Sequence, residues 1–118
     1  MEIRVNDNDG LTVFSLKGRL DFTNSSNLKE EIMKSVKEGK KQMILNLSQV
    51  DFINSSGLGT LVSILKEVRL ARGRMVLTDL ASYVQEIFEI TQLSHIFEIF
   101  PSQSEAVEAF ATSPVNVN

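Results

Sequence analysis

The sequence predicts an α/β domain with a mainly parallel sheet, an opening β-hairpin and helices packed on the sheet. Beyond the first twenty residues, short apolar segments of strand length alternate with longer amphipathic segments of helix length, as in βαβ units. Before that point, two strand patterns follow each other directly across a polar turn, which is typical of a hairpin. The 118 residues suffice for one domain with its own core.

The hairpin comes first in the chain. Ile3 and Val5 alternate with polar residues, and the apolar segment 13–16 follows a turn predicted at residues 6–10. Gly18 is predicted to end the second strand. The turn superficially resembles a calcium-binding loop, but such a loop needs an acidic ligand where this chain has Val5. We therefore predict a turn without a metal ion.

The first helix is predicted from its caps and its apolar stripe. Residues 21–24 supply capping side chains, and Gly39 is suited to end the helix. Apolar residues recur every four positions in between, at Leu28, Ile32 and Val36. The apolar run 43–47 then predicts a buried parallel strand, and a loop containing residues 50–53 is expected to follow.

The second helix is predicted to begin at an unusual junction, Asn54-Ser55-Ser56-Gly57-Leu58-Gly59, and Gly73 is expected to close it. Its apolar stripe comprises Leu58, Leu61, Val62, Leu65 and Val68. Asn and Ser cap helices well, but each glycine in the first turn is about 1 kcal/mol less favourable than alanine. Two interpretations stay open: the glycines serve a tightly packed helix start, or they serve a functional surface.

The last third of the chain predicts two strands and two helices. The strands are expected at residues 74–78 and 96–100. Ser102 and Glu105 have the spacing of a capping box at the start of the final helix. The helix between the two strands is marked by Val84, Ile87, Phe88 and Thr91.

The chain end differs from the rest. Residues 112–118 contain a proline and no periodicity, which predicts a flexible tail after a single domain spanning residues 1–111.

Composition excludes several classes of function. The chain has no cysteine, so it has no disulfide, thiolate zinc site or cysteine nucleophile. Its one histidine, His95, lies in a short apolar connection and is interpreted as structural. A formal charge of −3 with scattered Lys and Arg argues against nucleic acid as the main ligand. Without an apolar leader or an apolar run of ~20 residues, the chain is expected in the cytosol and away from membranes.

The enzyme motifs that could occupy the junction are incomplete. A dinucleotide-binding loop needs a third glycine where this chain has Val62, and the Gly-Lys-Ser or Gly-Lys-Thr of a P-loop is absent. Neither Ser55 nor Ser56 has the glycine of a nucleophile elbow two residues earlier. Asp21 and Asp51 follow strand-like runs and are interpreted as cap or turn residues. We therefore predict no catalytic residues, no metal site and no cofactor.

Four segments carry a resemblance to a known family over residues 3–110. They are Gly18-Arg19-Leu20-Asp21 before the first helix, Ile44-Leu45-Asn46-Leu47 in a strand, the junction with its preceding Asp51-Phe52-Ile53, and Gly73-Arg74-Met75-Val76-Leu77. In this order they resemble the anti-sigma factor antagonists of the STAS-domain family. The resemblance implies a single STAS-type domain.

The resemblance also implies partner switching. An unphosphorylated antagonist binds an anti-sigma factor that is also a serine kinase using ATP, and the binding releases a sigma factor. The kinase then phosphorylates a serine at the start of the second helix, the complex dissociates, and a PP2C-type phosphatase resets the cycle. The acceptor position matches Ser55, with Ser56 as the second candidate. Where the family pattern has Asp, this chain has Asn54, so no negative charge precedes the acceptor.

Two segments are implied as the partner-binding surface. Both follow strands of the parallel part of the sheet, so they are expected side by side. They comprise Asp21, Phe22, Thr23 and Asn24, and Asn54, Ser55, Ser56, Gly57 and Leu58. The alternative function is an accessory or scaffold subunit of a transporter or signalling complex without sigma-factor control. Family members of that kind often lack the acceptor serine, which this chain keeps.

Overall fold

The computed structural model describes residues 1–112, which form a five-stranded sheet and four α-helices. The strand order is β1-β2-β3-β4-β5, with β1 antiparallel to β2 and the other pairs parallel. This confirms the predicted α/β fold. The elements are β1 (Glu2–Asn8), β2 (Leu11–Leu20), α1 (Phe22–Lys37), β3 (Gln42–Ile53), α2 (Ser55–Leu70), β4 (Arg74–Thr78), α3 (Ser82–Ile90), β5 (Glu98–Phe100) and α4 (Gln103–Thr112).

A two-residue turn joins β1 to β2 and is shorter than the predicted turn. Asp9 (φ 52°) and Gly10 (φ 83°) both have positive φ, as a type I′ turn requires, and Asp-Gly is a favoured sequence for it. The prediction that Gly18 ends β2 is wrong. The strand continues through Gly18, whose φ of 117° suits glycine, and ends at Leu20.

β3 is longer than predicted because residues 50–53 continue the strand instead of forming a loop. They pair with β2, and Leu20 lies opposite Ile53. Val50 and Ile53 are buried in the main core, which holds this extension in place. β2 and β3 therefore end together, and α1 and α2 begin side by side at the carboxyl edge of the sheet.

Alternating side chains divide the sheet between two cores. On one face the main core joins the strands to α1, α2 and α3, and its strand members include Phe14, Leu45 and Leu77. On the other face a smaller core lies beneath α4 and contains Leu11, Val13, Ile44, Val76, Ala106 and Phe110. The period-2 alternation of strand side chains explains why adjacent residues enter different cores.

The two longest helices end differently. α1 ends at Lys37, and the predicted terminator Gly39 (φ 86°) follows in the left-handed conformation, with its N–H donating to the Val36 carbonyl oxygen across 3.0 Å. After α2 the left-handed residue is Arg72 (φ 63°), so Gly73 comes one position later than the predicted helix closure needs. Gly73 has a packing role instead, because a Cβ there would lie 2.8 Å from the Lys41 carbonyl oxygen.

The last strand is shorter than predicted. Residues 93–95 form a 3-10 turn, and only Glu98–Phe100 pairs with β4. The predicted cap of α4 is confirmed, because Ser102 Oγ accepts the Glu105 N–H across 3.2 Å.

α4 ends at Thr112, one residue beyond the predicted domain limit. The rest of the predicted tail, residues 113–118, lies outside the described residues.

Candidate functional site

The two segments singled out from the sequence meet at the carboxyl edge of β2 and β3. The backbone N–H of Asn54 donates to the Leu20 carbonyl oxygen across 3.4 Å, so the first residues after both strands are in contact. We call residues 21–24 and 54–56 the paired helix starts. Since parallel strands end at the same edge of a sheet, two segments that are distant in sequence form one surface.

At the start of α2, a neutral side chain caps the helix. Asn54 Oδ1 accepts the Gly57 N–H across 3.0 Å. Ser55 and Ser56 occupy the first two helical positions, and both are exposed. Backbone N–H groups at these positions have no acceptor within the helix and carry partial positive charge. The fold is therefore compatible with a phosphate on Ser55.

At the start of α1, a carboxylate has the same role. Asp21 Oδ1 accepts the Thr23 N–H (3.0 Å) and the Thr23 hydroxyl (2.7 Å), and Oδ2 accepts from Arg19 Nε across 3.4 Å. The Thr23 hydroxyl, and to a smaller extent Arg19, hold the pKa of the Asp21 carboxyl below its ordinary value of 3.8. α1 therefore begins with a fixed negative charge.

The remaining predicted contact residues differ in exposure. Phe22 is 80% exposed at the first position of α1, so its ring adds little to the core. Thr23 is also exposed, and Asn24 is partly buried and donates from Nδ2 to the Arg19 carbonyl oxygen across 2.5 Å. Leu58 is partly buried against the main core. Phe22 thus offers the largest apolar surface of the paired helix starts to a partner.

Gly57 and Gly59 have different surroundings. Gly57 is buried, and a Cβ there would overlap the Leu20 carbonyl oxygen and lie 3.0 Å from Leu20 Cγ. Gly57 thus has a packing role, because its missing side chain lets α2 approach the end of β2. The partner contact predicted for Gly57 stays a prediction. Gly59 is exposed, and no atom outside its own stretch of helix lies within 4 Å of the place a Cβ would take.

Three side chains beside the paired helix starts were not predicted as part of the surface: Arg19, Phe52 and Tyr83. The Arg19 guanidinium carbon lies 3.8 Å from the centre of the Phe52 ring. Burial and the nearby charge of Asp51 raise the pKa of Tyr83, which is 38% exposed. Arg19 and Phe52 lie in segments that carry the family resemblance, so the sequence could have indicated that they belong to the surface. Tyr83 belongs to α3 and reaches the surface only through tertiary packing, so no local pattern in the sequence indicates its position.

Other candidates from the sequence do not join this surface. His95 is exposed within the 3-10 turn and is not packed in an apolar connection. In residues 1–112, no group of three or more His, Asp and Glu side chains is arranged to hold a metal ion. In the same part of the chain, no helix is both long enough and apolar enough to span a bilayer.

The α/β fold, with its antiparallel first strand pair and its helices paired at the carboxyl edge of the sheet, is that of a STAS domain. Residues 2–106 match the STAS domain family, and the chain belongs to that family. The anti-sigma-B factor antagonist of Listeria monocytogenes is 35% identical over 100 residues, which cover 84% of this chain and 86% of the relative.

Solved structures have the same architecture. An anti-sigma factor antagonist from Mycobacterium paratuberculosis matches with a TM-score of 0.82 at 24% identity, over 92% of each chain. The Bacillus cell fate determinant SpoIIAA in its phosphorylated form matches with a TM-score of 0.72 at 20% identity, over 92% of this chain and 99% of that one. At these identities the structures establish the fold, and the sequence relative establishes kinship with anti-sigma factor antagonists.

Proposed function

We propose that the chain is an anti-sigma factor antagonist that works by partner switching. Its unphosphorylated form binds an anti-sigma factor that is also a serine kinase, and this binding releases a sigma factor. Transfer of the γ-phosphoryl group of ATP to Ser55 Oγ forms a phosphate ester, yields ADP and ends the binding. A PP2C-type phosphatase hydrolyses the ester and restores the binding form.

The observation that carries this proposal is the position of Ser55. Its side chain is exposed at the first helical position of α2, so a kinase can reach the hydroxyl while the domain stays folded. The partial positive charge of the helix start accommodates the phosphate within the fold. Phosphorylation therefore destabilises the complex with the anti-sigma factor much more than it destabilises the free domain. The phosphorylated form solved for SpoIIAA supports the same use of this fold.

Electrostatics at the interface is large enough for the switch. Changing the bound fraction from 99:1 to 1:99 requires about 5.5 kcal/mol. A phosphate adds about −1.5 to −2 charges. Two like unit charges ~4 Å apart near a protein surface repel by up to ~4 kcal/mol. One partner carboxylate facing the phosphate, together with steric overlap, reaches the required range without refolding of the chain.

The chemistry of the cycle belongs to the partners. The junction lacks a phosphate-binding loop, so we assign the kinase activity to the anti-sigma factor and no catalytic residue or cofactor to this chain. The paired helix starts form the proposed contact surface, with Phe22 as its apolar anchor and Asp21 as its fixed charge. The exposed acceptor Ser55 favours this role over that of a transporter or scaffold subunit.

Two variants at the acceptor test the proposal. Immobilised Ser55→Ala and Ser55→Asp chains serve as matched baits in a lysate of the source organism. Ser55→Ala should retain an anti-sigma factor, identified by mass spectrometry, because it adds neither bulk nor charge. Ser55→Asp should lose it, because a negative charge stands where the partner approaches. Equal retention by the two baits would contradict the proposed switch.

The captured anti-sigma factor then serves as the kinase. Incubated with the unaltered chain and ATP, it should place phosphate on Ser55, as located by peptide mapping. A Ser56→Ala chain is the matched control and should still accept phosphate. Phosphate found on Ser56 alone would move the acceptor by one residue.

A further inference from the structure

The two edge strands of the sheet differ in how much backbone they offer to another chain. β5 has three residues, and an edge strand this short is a poor template for further pairing. β1 has seven residues, stands at the other end of the strand order and is exposed at every position except the partly buried Ile3. Within residues 1–112 its outer edge therefore presents a row of backbone N–H and C=O groups to which no strand is paired.

β1 also lacks features that prevent many edge strands from pairing. It contains no proline, and its register with β2 runs from Glu2 opposite Lys17 to Asn8 opposite Leu11 without a bulge. The smaller core beneath α4 includes residues of β2 and none of β1. Charged side chains remain on β1, and their order along the strand decides which other strand can pair with it.

The charges of β1 are complementary to those of a second copy of the same strand. Glu2 and Arg4 lie on one face of the sheet, with Arg4 Nε 2.9 Å from Glu2 Oε2, and Ile3 points to the opposite face. An antiparallel pair of β1 strands centred on Ile3 puts Glu2 of each copy opposite Arg4 of the other. On the opposite face, Ile3 meets Ile3 and Val5 meets Met1, so apolar side chains face each other.

Neighbouring registers of the same strand pair are less favourable. A pair centred on Arg4 sets two guanidinium groups against each other, and a pair centred on Val5 sets Ile3 of each copy against Asp7 of the other. Of the three registers, the one centred on Ile3 joins opposite charges on one face and apolar side chains on the other. It also covers the side chain of Val5, which is 45% exposed.

We infer that β1 is a self-association surface, which pairs antiparallel with β1 of a second copy in the register centred on Ile3. The two sheets then form one continuous sheet across a two-fold axis. The pairing engages residues 1–5 of each copy, so the interface is small and the dimer is weak and transient. The backbone nitrogen of Met1 lies 3.4 Å from Asn24 Oδ1, so the second copy is placed next to the paired helix starts. This inference goes beyond the proposed function, and either one can fail without the other.

Charge reversal on β1 tests the inference, with sedimentation velocity from about 10 μM to about 1 mM as the measurement. The unaltered chain should associate in this range, and more weakly at high salt. Glu2→Arg and Arg4→Glu should each weaken the dimer roughly tenfold or more, because two pairs of opposite charges become pairs of like charges. Lys66→Glu, at an exposed position of α2, changes the net charge as Arg4→Glu does and is the matched control. It should leave the association unchanged.

Two combinations of the same substitutions restore the complementary charges. A chain carrying both Glu2→Arg and Arg4→Glu should associate like the unaltered chain. An equal mixture of the two single variants should form a heterodimer, because position 2 of each chain then faces an opposite charge at position 4 of the other. This recovery distinguishes a β1 interface from damage to the fold, which a charge reversal in the second chain would not repair. The inference is overturned if the unaltered chain stays monomeric up to about 1 mM, if the single variants associate as well as the unaltered chain, or if the combinations fail to restore association.

Discussion

At the start of α1 a carboxylate caps the helix and a large aromatic ring follows it, whereas at the start of α2 a neutral amide is followed by two small hydroxyl residues. Both N-caps have extended backbone, with φ of −138° at Asp21 and −120° at Asn54, and the two residues lie beside each other. The local geometry is shared and the chemistry differs. In the proposed function, α1 carries the permanent recognition features, and α2 carries the place where charge is added and removed.

The largest expected effect comes from breaking the contact that joins the two helix starts. Gly57→Ala should lower the free energy of unfolding by about 1–3 kcal/mol, because the new Cβ overlaps the Leu20 carbonyl oxygen. This loss should appear although alanine is the better helix former by about 1 kcal/mol. Urea unfolding measures it. A midpoint equal to that of the unaltered chain would mean that the end of β2 shifts to accommodate the added methyl group without loss of stability.

The second effect concerns the permanent features of α1. Phe22→Ala should weaken binding to the captured anti-sigma factor by about 1–2 kcal/mol, since aromatic anchors carry much of the energy of an interface. The fold should change by less than about 0.5 kcal/mol, because Phe22 is 80% exposed. Ile90→Ala is the matched control: Ile90 is 79% exposed at the far end of α3. Equal losses from the two variants would remove Phe22 from the contact surface.

A third experiment makes the start of α2 resemble the start of α1. Asn54→Asp should keep the cap and gain about 0.3–1 kcal/mol of stability from the helix dipole. If the kinase recognises an acidic residue before the acceptor, it should also phosphorylate Ser55 faster in Asn54→Asp than in the unaltered chain. Asn54→Ala, the control, should lose about 1 kcal/mol because the cap disappears. Kinase assays with equal initial rates for Asn54→Asp and the unaltered chain would show that the kinase ignores this charge.

The smallest effect is a difference in pH dependence between the two caps. The pKa of Asp21 is lowered in the folded chain, so the folded state binds this proton less readily than the unfolded state. Its stabilising contribution is therefore present above the ordinary pKa of 3.8 and is lost as the pH falls through the lower folded value. Asn54 has no such dependence.

Carbon-13 titration of the Asp21 carboxyl by NMR measures this effect. Thr23→Val removes the hydroxyl that donates to Asp21 Oδ1, so the Asp21 pKa should move up towards 3.8. Superimposable titration curves for Thr23→Val and the unaltered chain would assign the shift to another group.

The sequence predicted the order of helices and strands because each element has a periodic apolar pattern. It did not predict the carboxyl half of β3, where polar residues at 48 and 49 interrupt the pattern. That half is a strand because β2 pairs with it and the core takes up Val50 and Ile53, both of which depend on contacts across the fold. Local propensity is a weak guide where tertiary pairing decides the conformation.

The candidate site was predicted in part for the same reason. The caps Asp21 and Asn54 are local features, and their bonds to backbone N–H groups confirm them. Gly57 and Gly59 look alike in the sequence, since helix propensity assigns both the same cost. Only the distance to Leu20, which is remote in sequence, separates a packing glycine from an exposed one.

The Leu20 carbonyl oxygen, which accepts the Asn54 N–H and lies against Gly57, also governs how this surface opens. Fraying of the first turn of α2 would break the Asn54 hydrogen bond to this oxygen, which lies directly before the Asp21 cap. We therefore expect the two helix starts to open as one unit, with their amide hydrogens exchanging with solvent at a common rate. In the proposed function a partner would then meet either the complete surface or none of it, so that recognition of α1 and accessibility of Ser55 would rise and fall together.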